Sequence, residues 1–460
     1  MLNRRDAMLR LGQIGLGALG LPGLLQAEAA ARQATAVAPR AKSCILLYLW
    51  GGPPHQDMWD LKPEAPQGIR SLFHPVRTRA PGIRICDQMP LIAKHTDKLC
   101  LIRSMTHGSD VHEPSVYHTL TGQVDPRMRI PRNNRNRTNF PGPSGIVSRF
   151  SRCASAPGSV TVPRPIMHDG IKYSGTHAGF LGAQYDPVEL PDAGFANGRP
   201  ILSLGLPGSL DEERLVRRRG LLHVLERADR HLQQVGAAQQ LDAFREQAFN
   251  LLISPQTKRA FDLSAETEAT RDRYGRSHYG ESFLLARRLI QAGVRLVTFN
   301  WMFFRPDGNP LNPWDNHGGT PALGGVTGYE MLKADYCIPT LDRGLSALLA
   351  DLEARGMLEE TLIVITGEFG RTPKINKKQG RDHWGSCYTD LLAGGGIRGG
   401  IVHGASDADA AYPAADPVAP EDLLATMYES LGISPSAEIR DPLGRPFPVS
   451  RGRPLRHLFG

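Results

Sequence analysis

The sequence predicts a doubly wound α/β fold, a mostly parallel sheet with helices on both faces, and three observations predict it. Apolar runs of strand length recur along the chain, each stops in a polar loop, and helix-period stretches lie between them. With 460 residues, 41% hydrophobic and 22% charged, the chain has the composition of a folded globular protein, which excludes disorder for most of its length. A chain of this size buries about three quarters of the surface it exposes when unfolded, so its core needs no stapling.

The first run, Ser43 to Trp50, is continuously apolar, the mark of a central strand buried on both faces, and Gly51, Gly52, Pro53 and Pro54 stop it. Lys98–Arg103 precedes the loop Ser104–His112. Val294–Asn300 precedes a loop ending in Trp314–His317, and Thr361–Thr366 precedes Gly367–Pro373. Helical periodicity marks Asp211–Gln247 and Ala334–Arg355, the second closed by Gly356 at the usual stop position. Residues 123–210 are rich in Pro, Gly, Arg and Asn and weakly periodic. They are expected to form an irregular insertion near the site, inside a single domain spanning residues 30–460.

Residues 1–29 have the pattern of a twin-arginine export signal. Arg4-Arg5 precede a Gly/Leu/Ala run from Leu11 to Leu25, and Ala27-Glu28-Ala29 supplies a small-x-small cleavage site. The run is too short and glycine-rich for a stable membrane span, so the expected location is periplasmic or extracellular. A net charge of +8 is mild and dispersed; it suits anionic ligands and argues against a nucleic-acid partner. Six cysteines without a C-x-x-C pair disfavour a zinc ribbon or a disulfide scaffold, and Cys44 and Cys100, in apolar runs, read as buried free thiols.

In parallel α/β sheets ligands collect at the carboxyl ends of the strands, where loops converge and helix amino-termini point into one crevice. Each run above ends in ligand-type residues. His55 and Asp57 follow the first, Thr106, His107 and His112 the second, and Asp315 and His317 the third. Glu368 follows the fourth, with His383 a little further on. Imidazole together with carboxylate suits one or two divalent ions, zinc, manganese or iron rather than calcium, which wants more oxygen. Arg371, Lys374 and Arg381 add cations, and a guanidinium binds an oxyanion bidentately. Each cluster also has a plainer reading, the Asp as a helix cap or the His as a surface side chain.

The combination of Gly51-Gly52-Pro53, Ser104-Met105-Thr106-His107 with His112, Leu120-Thr121-Gly122, Trp314-Asp315-Asn316-His317, Gly367-Glu368-Phe369-Gly370-Arg371-Thr372-Pro373 and Gly380-Arg381-Asp382-His383-Trp384 resembles the bacterial domain-of-unknown-function family 1501. The resemblance covers nearly the whole mature chain, and that family is placed by similarity in the alkaline phosphatase and sulfatase superfamily. It implies an alkaline-phosphatase-like core, a one- or two-metal site and in-line transfer of a phosphoryl or sulfuryl group. Under it, Glu368 stands in for a metal-binding Asp on a late strand and Asp315 and His317 match the pair upstream. His383 matches the last His, and His55 or Asp57 the acidic ligand after the first strand. Phe369 is not a plausible ligand.

The sulfatase pattern C-x-P-S-R-x-x-x-L-T-G meets His112-Glu113-Pro114-Ser115-Val116 in the same frame; His112 replaces the Cys and Val116 the Arg, which disfavours a formylglycine sulfatase. His112 is then a nucleophile, a metal ligand or an acid–base group, and Thr106 with His107 beside it is a further candidate. The expected function is an exported metal-dependent hydrolase of phosphate or sulfate esters, small-molecule or glycan. The alternative is a secreted or envelope binding protein that keeps the fold without turnover.

Overall fold

A computed structural model of the chain describes residues 37–129, 132–151, 156–190 and 259–460, with the short pieces 195–196, 199–200 and 217. The segment 1–29, the helix expected at 211–247 apart from residue 217, and Cys153 lie outside the described residues.

The main sheet has eight strands: β1 (Ser43–Tyr48), β2 (Leu99–Met105), β3 (Ser159–Val162), β4 (Val188–Glu189), β5 (Leu296–Asn300), β6 (Thr361–Thr366), β7 (Tyr388–Ala393) and β8 (Ile401–His403). Their order across the sheet is β8-β2-β7-β6-β1-β5-β3-β4. All pairings are parallel except the two made by β7, which runs antiparallel between β6 and β2. β1 is buried along its whole length because it lies at the centre with a core on each side. Ile45 and Leu47 enter one core, and Cys44, Leu46 and Tyr48 enter the other, as the period of two requires.

Helices cover both faces. In chain order they are α1 (His55–Met58), α2 (His112–Thr121), α3 (Pro143–Phe150), α4 (Glu268–Tyr274), α5 (His278–Gln291), α6 (Gly328–Lys333), α7 (Ile338–Ala354) and α8 (Pro420–Ser430). Leu285 and Leu289 of α5 and Leu345 and Leu348 of α7 pack into the core on one face. Val116 and Leu120 of α2, Ile146 and Val147 of α3, and Leu424 and Met427 of α8 pack into the core on the other. The doubly wound, mostly parallel architecture is therefore present, and the four strands expected from apolar runs are β1, β2, β5 and β6, with ends displaced by a few residues at most.

Elsewhere the elements differ from expectation. The helix expected over 334–355 begins only at Ile338, with Pro339 in its first turn; before it the separate helix α6, opened by a Thr327–Glu330 capping box, ends at Lys333, and Ala334 is extended at φ −72°, ψ 153°. Its end is where expected, with Gly356 at φ 65° in the left-handed region. The stretch 123–210 also supplies α3 and the strands β3 and β4, which extend the sheet beyond β5. The five described cysteines are buried free thiols. No helix among the described residues is long and apolar enough to cross a membrane.

Candidate metal centre

The loops after β1, β2, β5 and β6 meet at the carboxyl edge of the sheet. Backbone without side chains lets them meet closely: Gly51 has φ 122°, and a Cβ there would lie 2.4 Å from the Asp315 nitrogen. A Cβ on Gly52 would lie 2.5 Å from the Phe369 ring. Across this contact the Gly51 N–H donates to Glu368 Oε1 at 2.8 Å.

Six of the expected residues converge here: His112, Asp315, His317, Glu368, Arg371 and His383. His112, the first residue of α2, is bracketed by two carboxylates, with Nδ1 2.7 Å from Glu368 Oε1 and Nε2 3.3 Å from Asp315 Oδ2. His383 Nε2 is 3.0 Å from Asp315 Oδ1. Arg371 and His383 face each other across a short antiparallel ribbon, Gly370–Arg371 with His383–Trp384, so both reach the same carboxylate. Arg371 Nη2 lies 2.8 Å from Asp315 Oδ1. His317 joins at the rim, its Nε2 3.2 Å from Asp315 Oδ2.

Hydrogen bonds behind the rings fix their tautomers. A carbonyl can only accept, so the Asp110 carbonyl 2.9 Å from His383 Nδ1 places a proton on that nitrogen. The Gly318 carbonyl 3.1 Å from His317 Nδ1 does the same. In both rings Nε2 is left to aim its lone pair at Asp315, an arrangement of two acceptors that a cation or an added proton must reconcile. This is the backing typical of metal-bound histidine.

Electrostatics agree. Burial works against a charged His112, but Asp315 and Glu368 overcome it and push the imidazole up to about 9. Burial likewise works to raise the Asp315 carboxyl, yet Arg371 and His112 hold it well below the usual range. The hydrogen bond to Asp315 raises His317, opposed by its partial burial. Glu368 is fully buried, and its Oε2 has no hydrogen-bond partner. A buried carboxylate oxygen left bare is costly, and a cation beside it removes the cost.

The residues present fit a divalent ion. One ligand atom each from His112, Asp315 and His383 lie within 4.8 Å of one another; His317 Nε2 is 3.2 Å from Asp315 Oδ2 at the rim, and Glu368 backs His112 on its other nitrogen. Imidazole nitrogen with carboxylate oxygen is the donor mixture of zinc, manganese and iron. Phe369 stacks on His383 with ring centroids 4.6 Å apart and walls the cluster without ligating it.

The other expected residues are placed elsewhere or differently. Asp57 is not part of the cluster: Arg381 grips it at 2.8 and 3.0 Å, and the Tyr329 hydroxyl donates to it at 2.6 Å. Arg381 is thereby consumed and does not face an oxyanion. His55 is buried with Nε2 2.9 Å from the Ala410 carbonyl, and burial lowers its pKa to about 4. His107 receives the Ser109 N–H on Nδ1 at 3.2 Å and donates from Nε2 to the Glu368 carbonyl at 2.6 Å. Both its nitrogens are used and burial lowers its pKa to about 4, so it positions the Glu368 loop and is neither ligand nor base. Arg371 is fully buried and spends its guanidinium on the carbonyls of Gly51, Gly52, Trp314 and Arg381 besides Asp315, which leaves none of it for an oxyanion. Thr106 is half-buried, its N–H donating to the Val418 carbonyl at 2.9 Å. Lys374 is exposed.

Two contributors were not foreseen. Asn312 Nδ2 lies 3.4 Å from His112 Nε2, and Asp110 orients His383 through its carbonyl while its carboxylate accepts the Gly385 N–H at 2.5 Å. The proximity of Asn312 to Trp314-Asp315 in the sequence was the available signal for the first; a backbone carbonyl leaves none.

A family model described as "Protein of unknown function (DUF1501)" matches residues 41–459. No curated protein matches the chain. Solved structures that are similar include a phosphonate monoester hydrolase from Silicibacter pomeroyi, 13% identical, with 92% of this chain and 76% of that one covered at a TM-score of 0.36. A sulfatase from Pseudoalteromonas sp. is 12% identical over 86% of this chain and 68% of its own, with a TM-score of 0.34. A lipoteichoic acid synthase from Listeria monocytogenes is 8% identical over 87% and 74%, with a TM-score of 0.37.

Proposed function

We propose a function for a chain that belongs to the DUF1501 family: a metal-dependent hydrolase of phosphate or sulfate esters. The observation that carries the reading is the convergence of ligand atoms of His112, Asp315 and His383 within 4.8 Å of one another, with the buried Glu368 behind His112. A bound divalent ion supplies Lewis-acid polarisation of the ester oxygens. The protein's own part is positional. Glu368 and Asp315 hold His112 between them, and the Asp110 and Gly318 carbonyls turn the Nε2 atoms of His383 and His317 toward the centre. Arg371 keeps Asp315 ionised, and Phe369 shields one side from water. The mild positive charge of the chain favours an anionic ester. The reading extends to an exported protein acting on small-molecule or glycan-borne esters, with cell fractionation of a tagged full-length chain as the check on export.

The test is elemental analysis of the purified protein joined to assays on aryl phosphate and aryl sulfate. One ion per chain or more, with hydrolysis lost on chelation and restored by metal, is the expected result. A folded protein that takes no metal and gains no hydrolysis from added metal overturns the reading.

A binding-only reading draws on a different observation. Among the described residues no serine, threonine or cysteine side chain is hydrogen-bonded to His112, Asp315, Glu368 or His383, so no alcohol or thiol nucleophile stands ready. Metal bound without turnover on any aryl ester would favour it.

A further inference from the structure

A second pair of metal-type ligands stands at the edge of the sheet. His403 ends β8, the outermost strand, and His457 lies in the 3-10 turn Arg456–Leu458. His457 Nε2 is 3.0 Å from His403 Nδ1, and the ring centroids are 4.6 Å apart at 48°. His457 is exposed and His403 half-exposed.

Both rings ride on anchored backbone. β8 pairs with β2, with His403 opposite Ile102. The segment carrying His457 is tied down by the Arg398 N–H to the Leu458 carbonyl at 2.8 Å and the Gly460 N–H to the Gly396 carbonyl at 2.9 Å. The Arg456 guanidinium adds a two-pronged bond to Glu429 at 2.7 and 2.9 Å. The backbone on both sides of the contact is therefore held in place, and the hydrogen bond between the rings joins the two elements.

That separation can be compared with coordination geometry. Two nitrogens bound to one ion at about 2.0–2.1 Å lie about 2.9 Å apart when they subtend a right angle, and about 3.4 Å apart at the tetrahedral angle. The observed 3.0 Å is the length of the hydrogen bond between the rings, and it is near enough to both values that one ion can replace the shared proton with small ring movements; of the divalent ions that imidazole suits, copper(II) is bound most tightly, with nickel(II) next to it in the series. The surrounding charge is mixed. Asp416 lies within electrostatic reach of His403, and the Arg398 side chain donates to the His457 carbonyl.

We propose that His403 and His457 form a surface site for a transition-metal ion, copper(II) or nickel(II), separate from the His112–Asp315–His383 cluster. Binding exchanges the hydrogen bond between the rings for two nitrogen–metal bonds. The ring that donates in that bond moves its proton through water to its outer nitrogen, so both inner nitrogens present lone pairs and no net proton is lost. The ion then clasps the turn Arg456–Leu458 to the edge strand and stabilises the folded chain by mass action.

The experiment is a titration of the full chain with copper(II) and with nickel(II) near neutral pH, followed by calorimetry, by electron paramagnetic resonance for copper, and by thermal melting. The wild type should take up one ion more than either His403→Ala or His457→Ala, and copper should raise its melting temperature by a few degrees more than it raises that of either variant. His383→Ala should keep this ion and its copper spectrum, which separates the site from the candidate metal centre. Because His457 is exposed and His403 half-exposed, the metal-free variants should melt close to the wild type; His457→Gln, which keeps bulk and polarity, repeats the test if His457→Ala does not. Equal stoichiometry and equal thermal response in wild type and variants would overturn the proposal, as would a copper spectrum lost with His383→Ala and kept in both edge variants.

Discussion

Asp57 and Asp315 begin alike and end in opposite conditions. Each follows a strand of the sheet, and each meets a fully buried arginine at 2.8 Å, Arg381 for the first and Arg371 for the second. Arg381 engages both oxygens of Asp57, Tyr329 takes a further bond, and the carboxylate is sealed from water. Arg371 reaches only Oδ1 of Asp315, because most of its guanidinium is committed to carbonyls, and three imidazoles face the carboxylate, His383 at Oδ1 and His112 and His317 at Oδ2. The Asp315 side chain keeps 17% of its surface open. A carboxylate at a strand end is therefore no ligand by position alone; what decides is how much of it remains after structural pairing.

The sharpest way to break the comparison is to remove each partner in turn. Arg381→Ala leaves Asp57 as an uncompensated buried charge and should cost about 3–5 kcal/mol of folding stability, read by denaturant unfolding. The fraction that stays folded should still bind metal with unchanged affinity, and a selective loss of metal at full stability would show that Asp57 belongs to the site after all. Asp315→Asn is the mirror image. Metal affinity and any aryl ester hydrolysis should fall about 100-fold or more, whereas stability should change by roughly 1–2 kcal/mol, since Arg371 keeps its carbonyl partners. Dialysis against graded metal buffers measures the first quantity and urea unfolding the second. If the two variants behave alike, the distinction between a locked and an open carboxylate fails.

The same contrast explains what could be read from the chain and what could not. β1 and β6 were legible because they are buried on both faces and so are apolar throughout. α5 was not, because Arg287 sits inside its packed face, 1% exposed and paired with Glu266 and Asp351, and a charged residue there masks the stripe. Asp315, Glu368 and His383 could be named since they lie in loops just beyond strands or on the ribbon that follows. The fate of Asp57 could not, because Arg381 is 324 residues away and only the fold brings them together. Nor could the role of His107, which depends on a Ser109 N–H and a Glu368 carbonyl that carry no sequence mark. Removing that support should cost less than removing a ligand: His107→Ala should weaken metal binding by about 10-fold to 100-fold with the ligands intact, read in the same metal buffers. An unchanged affinity would reduce His107 to a packing residue.

The smallest effect concerns the proton that stands where the ion would. His112 is held between Glu368 and Asp315, and in the metal-free protein its pKa lies at about 9 against an ordinary 6.5. Its folded value is raised, so it stabilises the metal-free fold fully below about 6.5, and this contribution fades as pH climbs through 9. An ion must displace the same proton to use the ring, so apparent metal affinity should rise by about one order of magnitude per pH unit between 7 and 8 and level off above 9. Calorimetry in buffers of different ionisation enthalpy counts the protons directly. Close to one proton should be released per ion at neutral pH, and His112→Gln should abolish that release; a pH-independent affinity with no proton released would place the ion away from His112 and detach the carboxylate pair from the chemistry assigned to it.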